Sequence, residues 1–263
     1  MNTLDRILAH KQKEVEYRKA QTAVKTLEKS ALFERTPFSL ENRLRYGRTG
    51  IIAEFKRKSP SKGIINDQSP VTQVTQGYQQ AGAAGVSILT DEEFFGGTLA
   101  DLETARPHLH IPILRKDFVI GEYQIIEAKA VGADVVLLIA AALPVKTLHN
   151  LATLARSLGL DVLLEVHNLT ELHQYLHKDT NLIGVNNRNL KNFEVSLQVS
   201  KELATEIPDD FIKISESGIS TIADITQLQS YGYKGFLIGE NFMKTSDPSQ
   251  AIETFVKDLL ANN

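Results

Sequence analysis

A (β/α)8 barrel of the TIM type, an α/β fold, preceded by a helical extension, is what this sequence predicts, and three observations lead to it. Eight β-rich apolar runs alternate with helical stretches after residue 50. Together the units occupy about 210 residues, the usual size of such a barrel. Gly82-Ala83, Gly132-Ala133 and Gly159-Leu160 each end a helix just before the next strand, where a left-handed cap belongs. A doubly wound open sheet is the competing arrangement, but no Gly-x-Gly-x-x-Gly turn follows the first strand. No low-complexity linker breaks the pattern, so residues 1–263 read as one domain, with the extension over 1–46 and the barrel over 47–263.

In chain order, Leu4, Ile7, Leu8 and Val15 fall at helical spacing, with Lys11, Lys13, Glu14, Glu16, Arg18 and Lys19 around them. That pattern predicts an amphipathic helix that needs a surface to lie on. A second helix at about Ser39–Arg45 follows Pro37, and Gly47 and Gly50 close it. Strands are predicted at Ile51–Lys56, Gly85–Thr90, Ile111–Lys116, Asp134–Ala140, Asp161–Val166, Leu182–Asn186, Phe211–Glu216 and Gly235–Gly239. Helices are predicted at Val71–Ala81, Thr98–Arg106, Glu122–Val131, Val145–Leu158, Leu169–His177, Leu197–Glu206, Thr221–Tyr231 and Ser249–Leu260.

Composition narrows the function. A hydrophobic content of 42% provides a sizeable core, and 23% charged residues is ordinary for a globular chain. A net charge of −3 points to neither nucleic acid nor an anionic membrane as partner. With no cysteine, disulfides, thiolate metal sites and a cysteine nucleophile are excluded, and a reducing compartment fits. Residues 1–19 are charged throughout and lack the apolar core of a signal peptide. The longest apolar run, Val135 to Leu143, is too short to span a bilayer. A cytoplasmic, soluble protein is expected.

Chemistry in such a barrel sits at the C-terminal ends of the strands. With a side-chain period of two, Ile52, Glu54 and Lys56 share a face of the first strand, and Lys58 continues that parity. An internal Glu54–Lys56 ion pair is the plain alternative to a functional reading. The third strand ends with Lys116 in step with Leu114, and the fifth with Glu165 in step with Leu163. The sixth ends with Asn186 and then Arg188, the seventh with Glu216 and Ser217, and the eighth at Gly239. A ring of rim ion pairs explains any one of these residues, but the set stands beside Gly-Ser turns that such a ring does not need.

Those turns, Ser217-Gly218 and Gly239, follow the strands after which barrels commonly bind phosphate. Backbone N–H groups at a glycine, aimed by a helix N-terminus, hold a dianion without a lysine. Either glycine alone reads equally as a tight turn; the pair favours phosphate. Phe94 and Phe95 in the loop after the second strand, and Phe118 just past Lys116, suggest an apolar substrate body, or side chains packed under their own loops. His10 is assigned to the polar side of the first helix, and His108, His110, His149, His173 and His177 to solvated surface. His167 is set aside as having the opposite strand parity to Glu165. No H-x-x-x-H or H-E-x-x-H cluster exists, so no metal is expected.

With these residues assembled, the chain resembles the indole-3-glycerol phosphate synthase family. The resemblance rests on Ile52-Ala53-Glu54-Phe55-Lys56-Arg57-Lys58-Ser59-Pro60-Ser61-Lys62-Gly63, Leu114-Arg115-Lys116-Asp117-Phe118, Leu164-Glu165-Val166-His167, Gly184-Val185-Asn186-Asn187-Arg188-Asn189-Leu190, Ser215-Glu216-Ser217-Gly218-Ile219 and Ile238-Gly239-Glu240. The first motif is highly specific, and the last two recur among phosphate-binding barrels.

The resemblance implies conversion of 1-(2-carboxyphenylamino)-1-deoxyribulose 5-phosphate to indole-3-glycerol phosphate, with release of CO2 and water and no metal or organic cofactor. It implies Lys116 as the general acid on the C2′ oxygen, its pKa lowered by burial among other cations. It further implies Glu165 as a second proton-transfer group, Lys56 with Glu54 as a supporting pair, and Asn186 as a further member of the catalytic set. Arg188 would hold substrate hydroxyl or carboxylate groups with Asn186, and Glu216 would orient hydroxyls or a neighbouring lysine. Ser217, Gly218 and Gly239 would take the phosphate, helped by Lys58 or Ser59, with Phe95 and Phe118 lining the anthranilate pocket.

Two departures stand out. Asn187 and Glu240 occupy positions where many members have serine, and the second puts a side-chain phosphate donor at Glu240 in doubt. The chain ends at Asn263 with no fused isomerase domain, so a monofunctional protein is expected, acting as a monomer or weak oligomer on this small phosphorylated molecule. Two other readings remain. An isomerase on a phosphosugar barrel would need a Cys/Asp or paired-Asp arrangement, and zero cysteine with the Lys/Glu/Lys set argues against it. A non-catalytic barrel kept as a binding partner predicts loss of a catalytic side chain, and every matched position is filled.

Overall fold

The strands are aliphatic on both faces, one for the barrel interior and one for the helices around it, as parallel strands covered on both sides must be. In the computed structural model, which describes residues 2–189 and 193–262, eight such strands run parallel and close on themselves. They are β1 (Ile51–Phe55), β2 (Gly85–Leu89), β3 (Ile113–Lys116), β4 (Val135–Ile139), β5 (Asp161–Val166), β6 (Leu182–Asn186), β7 (Ile212–Glu216) and β8 (Gly235–Ile238). Each pairs with its sequence neighbours, and β8 returns to β1 with Ile51 opposite Phe236 and Ala53 opposite Ile238.

The predicted (β/α)8 barrel is therefore the observed one, with strand ends displaced by a residue or two. The largest difference is at β3, which starts at Ile113 instead of Ile111 because Pro112 has no N–H for the ladder. Sequence reading missed a hairpin of Lys58–Ser59 with Gly63–Ile64, and short helices at Val24–Leu27, Glu92–Phe95 and Glu240–Met243. Each is only two to four residues long, too short for a periodicity to register. Leu190, the last residue of one motif named above, lies outside the described residues. Among the described residues, no helix is long and apolar enough to cross a membrane.

Two apolar layers follow from the alternation. Ile52, Leu114, Leu137, Leu163, Ile214 and Leu237 point inward and form one cluster. Ile51, Val86, Ile113, Val136, Val162 and Ile183 point outward and pack under the helices.

The segment before β1 serves both ends of the barrel. Helix α1 (Thr3–Gln21) begins in a capping box, in which Asn2 Oδ1 accepts from the Asp5 N–H and the Asp5 carboxylate accepts from that of Asn2. Its buried stripe is Ile7, Lys11 and Val15. The grouping of Lys11 with the polar surround is thus corrected: four residues from Ile7 and four from Val15, it lies on their face. Its ammonium is matched there by Glu14, Asp91 and Asp117 at 2.7, 2.9 and 2.9 Å. Helix α2 (Leu40–Tyr46) plugs the opposite end with Leu40 and Leu44, which join the inner cluster. A Cβ on Gly85 or Gly235, the first residues of β2 and β8, would approach these leucines to 3.0 and 3.1 Å, so glycine makes room for the plug. Asp134 accepts from the Phe38 N–H at 2.7 Å and Asp161 from the Glu41 N–H at 3.0 Å, tying the plug to the start of β5 and the residue before β4.

Candidate active site

The last inward positions of the strands hold charges where the interior opens at the C-terminal end. Glu54 comes from β1 and Lys56 from the residue just past its end, Lys116 from β3, Glu165 from β5, Asn186 from β6 and Glu216 from β7, and all line one cavity. Lys56 Nζ is 2.7 Å from Glu54 Oε1. Lys116 Nζ is 3.5 Å from Glu165 Oε2 and 3.7 Å from Glu216 Oε2. Asn186 Nδ2 donates to Glu165 Oε1 at 3.0 Å. Gly184 belongs to the design, because a Cβ there would sit 2.2 Å from Glu216 Oε1.

The electrostatics correct one expectation. Burial disfavours the Lys116 ammonium, but the carboxylates of Glu165, Glu216 and Glu54 outweigh it and hold the group above the ordinary amine range. Lys116 thus stands among carboxylates instead of cations, and its pKa is raised, not lowered. Burial likewise opposes ionisation of Glu165, yet Lys116, His167 and Asn186 hold it below the usual carboxylate range. Glu54 is held down in the same way, by Lys56 and then Lys116 against burial. Glu216 goes the other way. Burial and the neighbouring Glu165 push it up to about 8, and its Oε1 has no hydrogen-bond partner in the protein. The site thus combines a largely buried ammonium, a Glu165 held toward its ionised form and a Glu216 held toward its protonated form.

The rim is built from turns. Ser217 and Gly218 follow β7 with positive φ of 67° and 79°. The left-handed region is unfavourable for a serine, and such strain is commonly stored at functional sites. Gly239 caps the short helix Glu240–Met243, its carbonyl accepting from the Phe242 and Met243 N–H groups at 3.0 and 2.9 Å. Ser59, Ser217, Gly218, Gly239 and Glu240 all line the cavity. Arg188 lines it too, its backbone N–H given to Asn186 Oδ1 at 3.0 Å. Phe95 and Phe118 form an apolar wall with ring centroids 6.0 Å apart, and Thr3, Leu4 and Ile7 of α1 complete it.

Some expectations fall outside this arrangement. Lys58 does not line the cavity; its Nζ donates to the Glu93 carbonyl at 2.6 Å, because the hairpin it opens turns the side chain toward that loop. Phe94 packs edge-on against His10 instead of entering the cavity. Lys62, not singled out as a site residue, reaches Glu240 at 3.7 Å. Asn187 is buried in a structural network with Ser200 and Ser215.

The opposite parity expected of His167 is corrected. Residues two apart in an extended strand share a face, so His167 has the same parity as Glu165, and its Nε2 is 3.2 Å from Glu165 Oε1. Counting positions was signal enough to find it. Asp117 was also passed over as a site residue; it touches the cavity and pairs with Lys11 and Arg115. The α1 residues carried no such signal, since nothing local says which surface an amphipathic helix will meet. Among the described residues, no group of three or more His, Asp or Glu is placed to hold a metal ion.

A closed (β/α)8 barrel with charged side chains at its strand ends and glycine turns after β7 and β8 has the layout of a barrel enzyme. Comparison with known proteins narrows the class. The family model for indole-3-glycerol phosphate synthase matches residues 4–255, and the chain belongs to that family. It is 46% identical over 254 residues to the indole-3-glycerol phosphate synthase of Bacteroides thetaiotaomicron, covering 97% of each chain. To that of Chromobacterium violaceum it is 47% identical over 206 residues, covering 78% of each. Among solved structures, a chain of the tryptophan synthase complex from Pyrococcus furiosus superimposes with a TM-score of 0.60 at 16% identity, over 81% of this chain and 98% of that one. The tryptophan synthase alpha subunit of Legionella pneumophila gives 0.60 at 13% identity, over 84% and 95%. These two likenesses carry the fold alone.

Proposed function

We propose that the cavity closes the indole ring of 1-(2-carboxyphenylamino)-1-deoxyribulose 5-phosphate, with Lys116, Glu165 and the Glu54–Lys56 pair moving the protons. The ring carbon that bears the carboxylate attacks the C2′ carbonyl and forms the new C–C bond. Lys116 gives a proton to the carbonyl oxygen as charge develops there. The carboxylate leaves as CO2, returning its bonding pair to the ring and restoring aromaticity. The C2′ hydroxyl then departs as water with a proton supplied from Lys56, which Glu54 holds at 2.7 Å, while Glu165 takes the proton from C1′. That loss makes the second double bond of the new ring.

One observation carries this reading. Lys116 is a largely buried ammonium that donates to Glu165 only over a long 3.5 Å and stands 3.7 Å from Glu216, so its donors are held in place by weak contacts. Asn186 and Arg188 support the placement of substrate hydroxyl and carboxylate groups. Ser217, Gly218, Gly239 and Ser59 fit the phosphate, by backbone N–H groups where Glu240 offers no donor. Phe95 and Phe118 fit the anthranilate ring. A chain without cysteine suits the reducing cytoplasm, where we place it.

The test is indole fluorescence on mixing the purified protein with the carboxyphenylamino-deoxyribulose phosphate, since a chain without tryptophan is dark in that range. The expected result is a rising signal that disappears in Lys116→Ala. Turnover within a few-fold of wild type in that variant would remove Lys116 from the role.

A further inference from the structure

His167 follows the end of β5, and its ring is largely buried between two carboxylates. Nε2 stands 3.2 Å from Glu165 Oε1, and Nδ1 stands 3.1 Å from Glu171 Oε2. Glu171 lies in the first turn of the helix Leu169–Tyr175 and is itself immobilised. Its Oε2 accepts from the His167 backbone N–H at 2.8 Å, and its Oε1 accepts from Asn168 Nδ2 at 2.8 Å. Its own N–H is given to Asn168 Oδ1 at 2.9 Å. A fixed carboxylate therefore fixes the imidazole.

A neutral imidazole has one N–H and one lone pair. Between two carboxylate oxygens it would turn that lone pair on one of them, so only the doubly protonated ring suits both neighbours. Burial works against that charge, but Glu165 and Glu171 hold the ring up at about 10. The groups facing it are Glu165 on β5, Glu171 on the following helix and, farther off, Glu216 on β7, with Lys116 of β3 beyond Glu165.

The consequence falls on Glu165, whose two oxygens are made unlike. Oε1 accepts from Asn186 Nδ2 at 3.0 Å and has His167 Nε2 at 3.2 Å as a charge contact that is not aligned as a hydrogen bond. Oε2 is turned to Lys116 at 3.5 Å. Building on Glu165 as a proton-transfer group, we propose that His167 is a positioning residue: carried as an imidazolium on Glu171, it commits Oε1 of Glu165 and leaves Oε2 as the oxygen that exchanges protons with the substrate. A neutral side chain at 167 frees the carboxylate to rotate and removes a cation that favours its ionised form.

The experiment is the pH profile of kcat and KM for wild type, His167→Asn, Glu171→Gln and Glu165→Gln, read by indole fluorescence. In His167→Asn, kcat is expected to fall about ten- to a hundredfold with KM little changed, the scale of a misplaced catalytic group. The acidic limb should move up by about one pH unit, because losing an adjacent cation raises the carboxylate's pKa. Glu171→Gln should move the limb the same way by less, and it carries the test if His167→Asn does not fold. A purely structural role would lower stability and leave the limb in place, and an unmoved limb in the folded variants overturns the proposal. The two layers separate through Glu165→Gln. Full turnover in that variant overturns the reading of Glu165 itself, whereas an inactive Glu165→Gln beside unshifted profiles for the other two overturns only the role of His167.

Discussion

Lys11 on α1 and Lys116 at the end of β3 are both lysines set among three carboxylates, and burial works against the charge of each. Around Lys11 the carboxylates of Glu14, Asp91 and Asp117 close to 2.7, 2.9 and 2.9 Å, and the contacts continue from Asp117 through Arg115 to Glu127 and Arg18. Around Lys116, Glu165 and Glu216 stand back at 3.5 and 3.7 Å, beside a cavity. Charge type is alike; exposure, separation and an adjoining space differ, Lys11 being fully enclosed and Lys116 16% exposed. The first arrangement neutralises a charge to dock a helix. The second holds a charge ready for something absent from the protein, which fits the acid role proposed for it.

The largest expected effect breaks the second arrangement. Lys116→Ala should cut kcat by at least about a hundredfold, the scale of a lost general acid. Its circular dichroism spectrum should remain that of the folded protein; loss of the fold would make Lys116 a structural residue like Lys11. The mirror-image change comes next. Lys11→Met leaves Asp91 and Asp117 buried without their ammonium, and should cost about 3–5 kcal/mol in denaturant unfolding. Its kcat per folded molecule should fall far less than that of Lys116→Ala, and an equal loss would erase the distinction between the two lysines.

Alkaline pH sharpens the contrast. His167 is held up at about 10 from an ordinary 6.5, so the folded protein keeps a proton that the unfolded chain gives up. That stabilisation is complete below about 6.5 and is lost as pH climbs through about 10, on the order of 5 kcal/mol in all. Glu216, pushed up to about 8, adds a loss of the same sign that starts at lower pH. The Lys11 ammonium is also raised, so its share survives to more alkaline pH. Thermal midpoints measured across this range should flatten in His167→Asn and keep their slope in Lys11→Met. The smallest effect is at the rim. Gly218→Ala forces a side chain into φ of 79° against Val195, and should cost about 1 kcal/mol of stability. It should also weaken inorganic phosphate binding measured by calorimetry; unchanged binding would move the phosphate away from this turn.

The barrel was legible because its signal is periodic and repeated. Asp161–Val166 and Leu182–Asn186 were read to the residue, since aliphatic runs bounded by turn residues leave little freedom. The site was legible where strand parity governs it, as at Glu54, Lys116, Glu165 and Glu216. Parity also covers His167, which lies two residues beyond Glu165 and so on the same side. What depends on side chains meeting across the fold could not be read. No local pattern says that Lys58 turns to the Glu93 carbonyl, or that Lys116 is ringed by acids and so has a raised pKa. Lys11 misled for a related reason: a lysine reads as solvent-facing until Asp91 and Asp117 arrive from other elements to neutralise it.

The segment that precedes the barrel also sets an order of assembly. Helix α1 and the plug α2 are translated first, yet nothing they bind exists when they emerge. Asp91 and Asp117 lie one and two repeats further on, the anchors Asp134 and Asp161 later still, and the β1 edge waits for Phe236 in the last strand. On a ribosome adding roughly 5–20 residues each second, the early helices wait many seconds for their docking sites. The ring itself closes only when β8, made after all of these partners, pairs with β1.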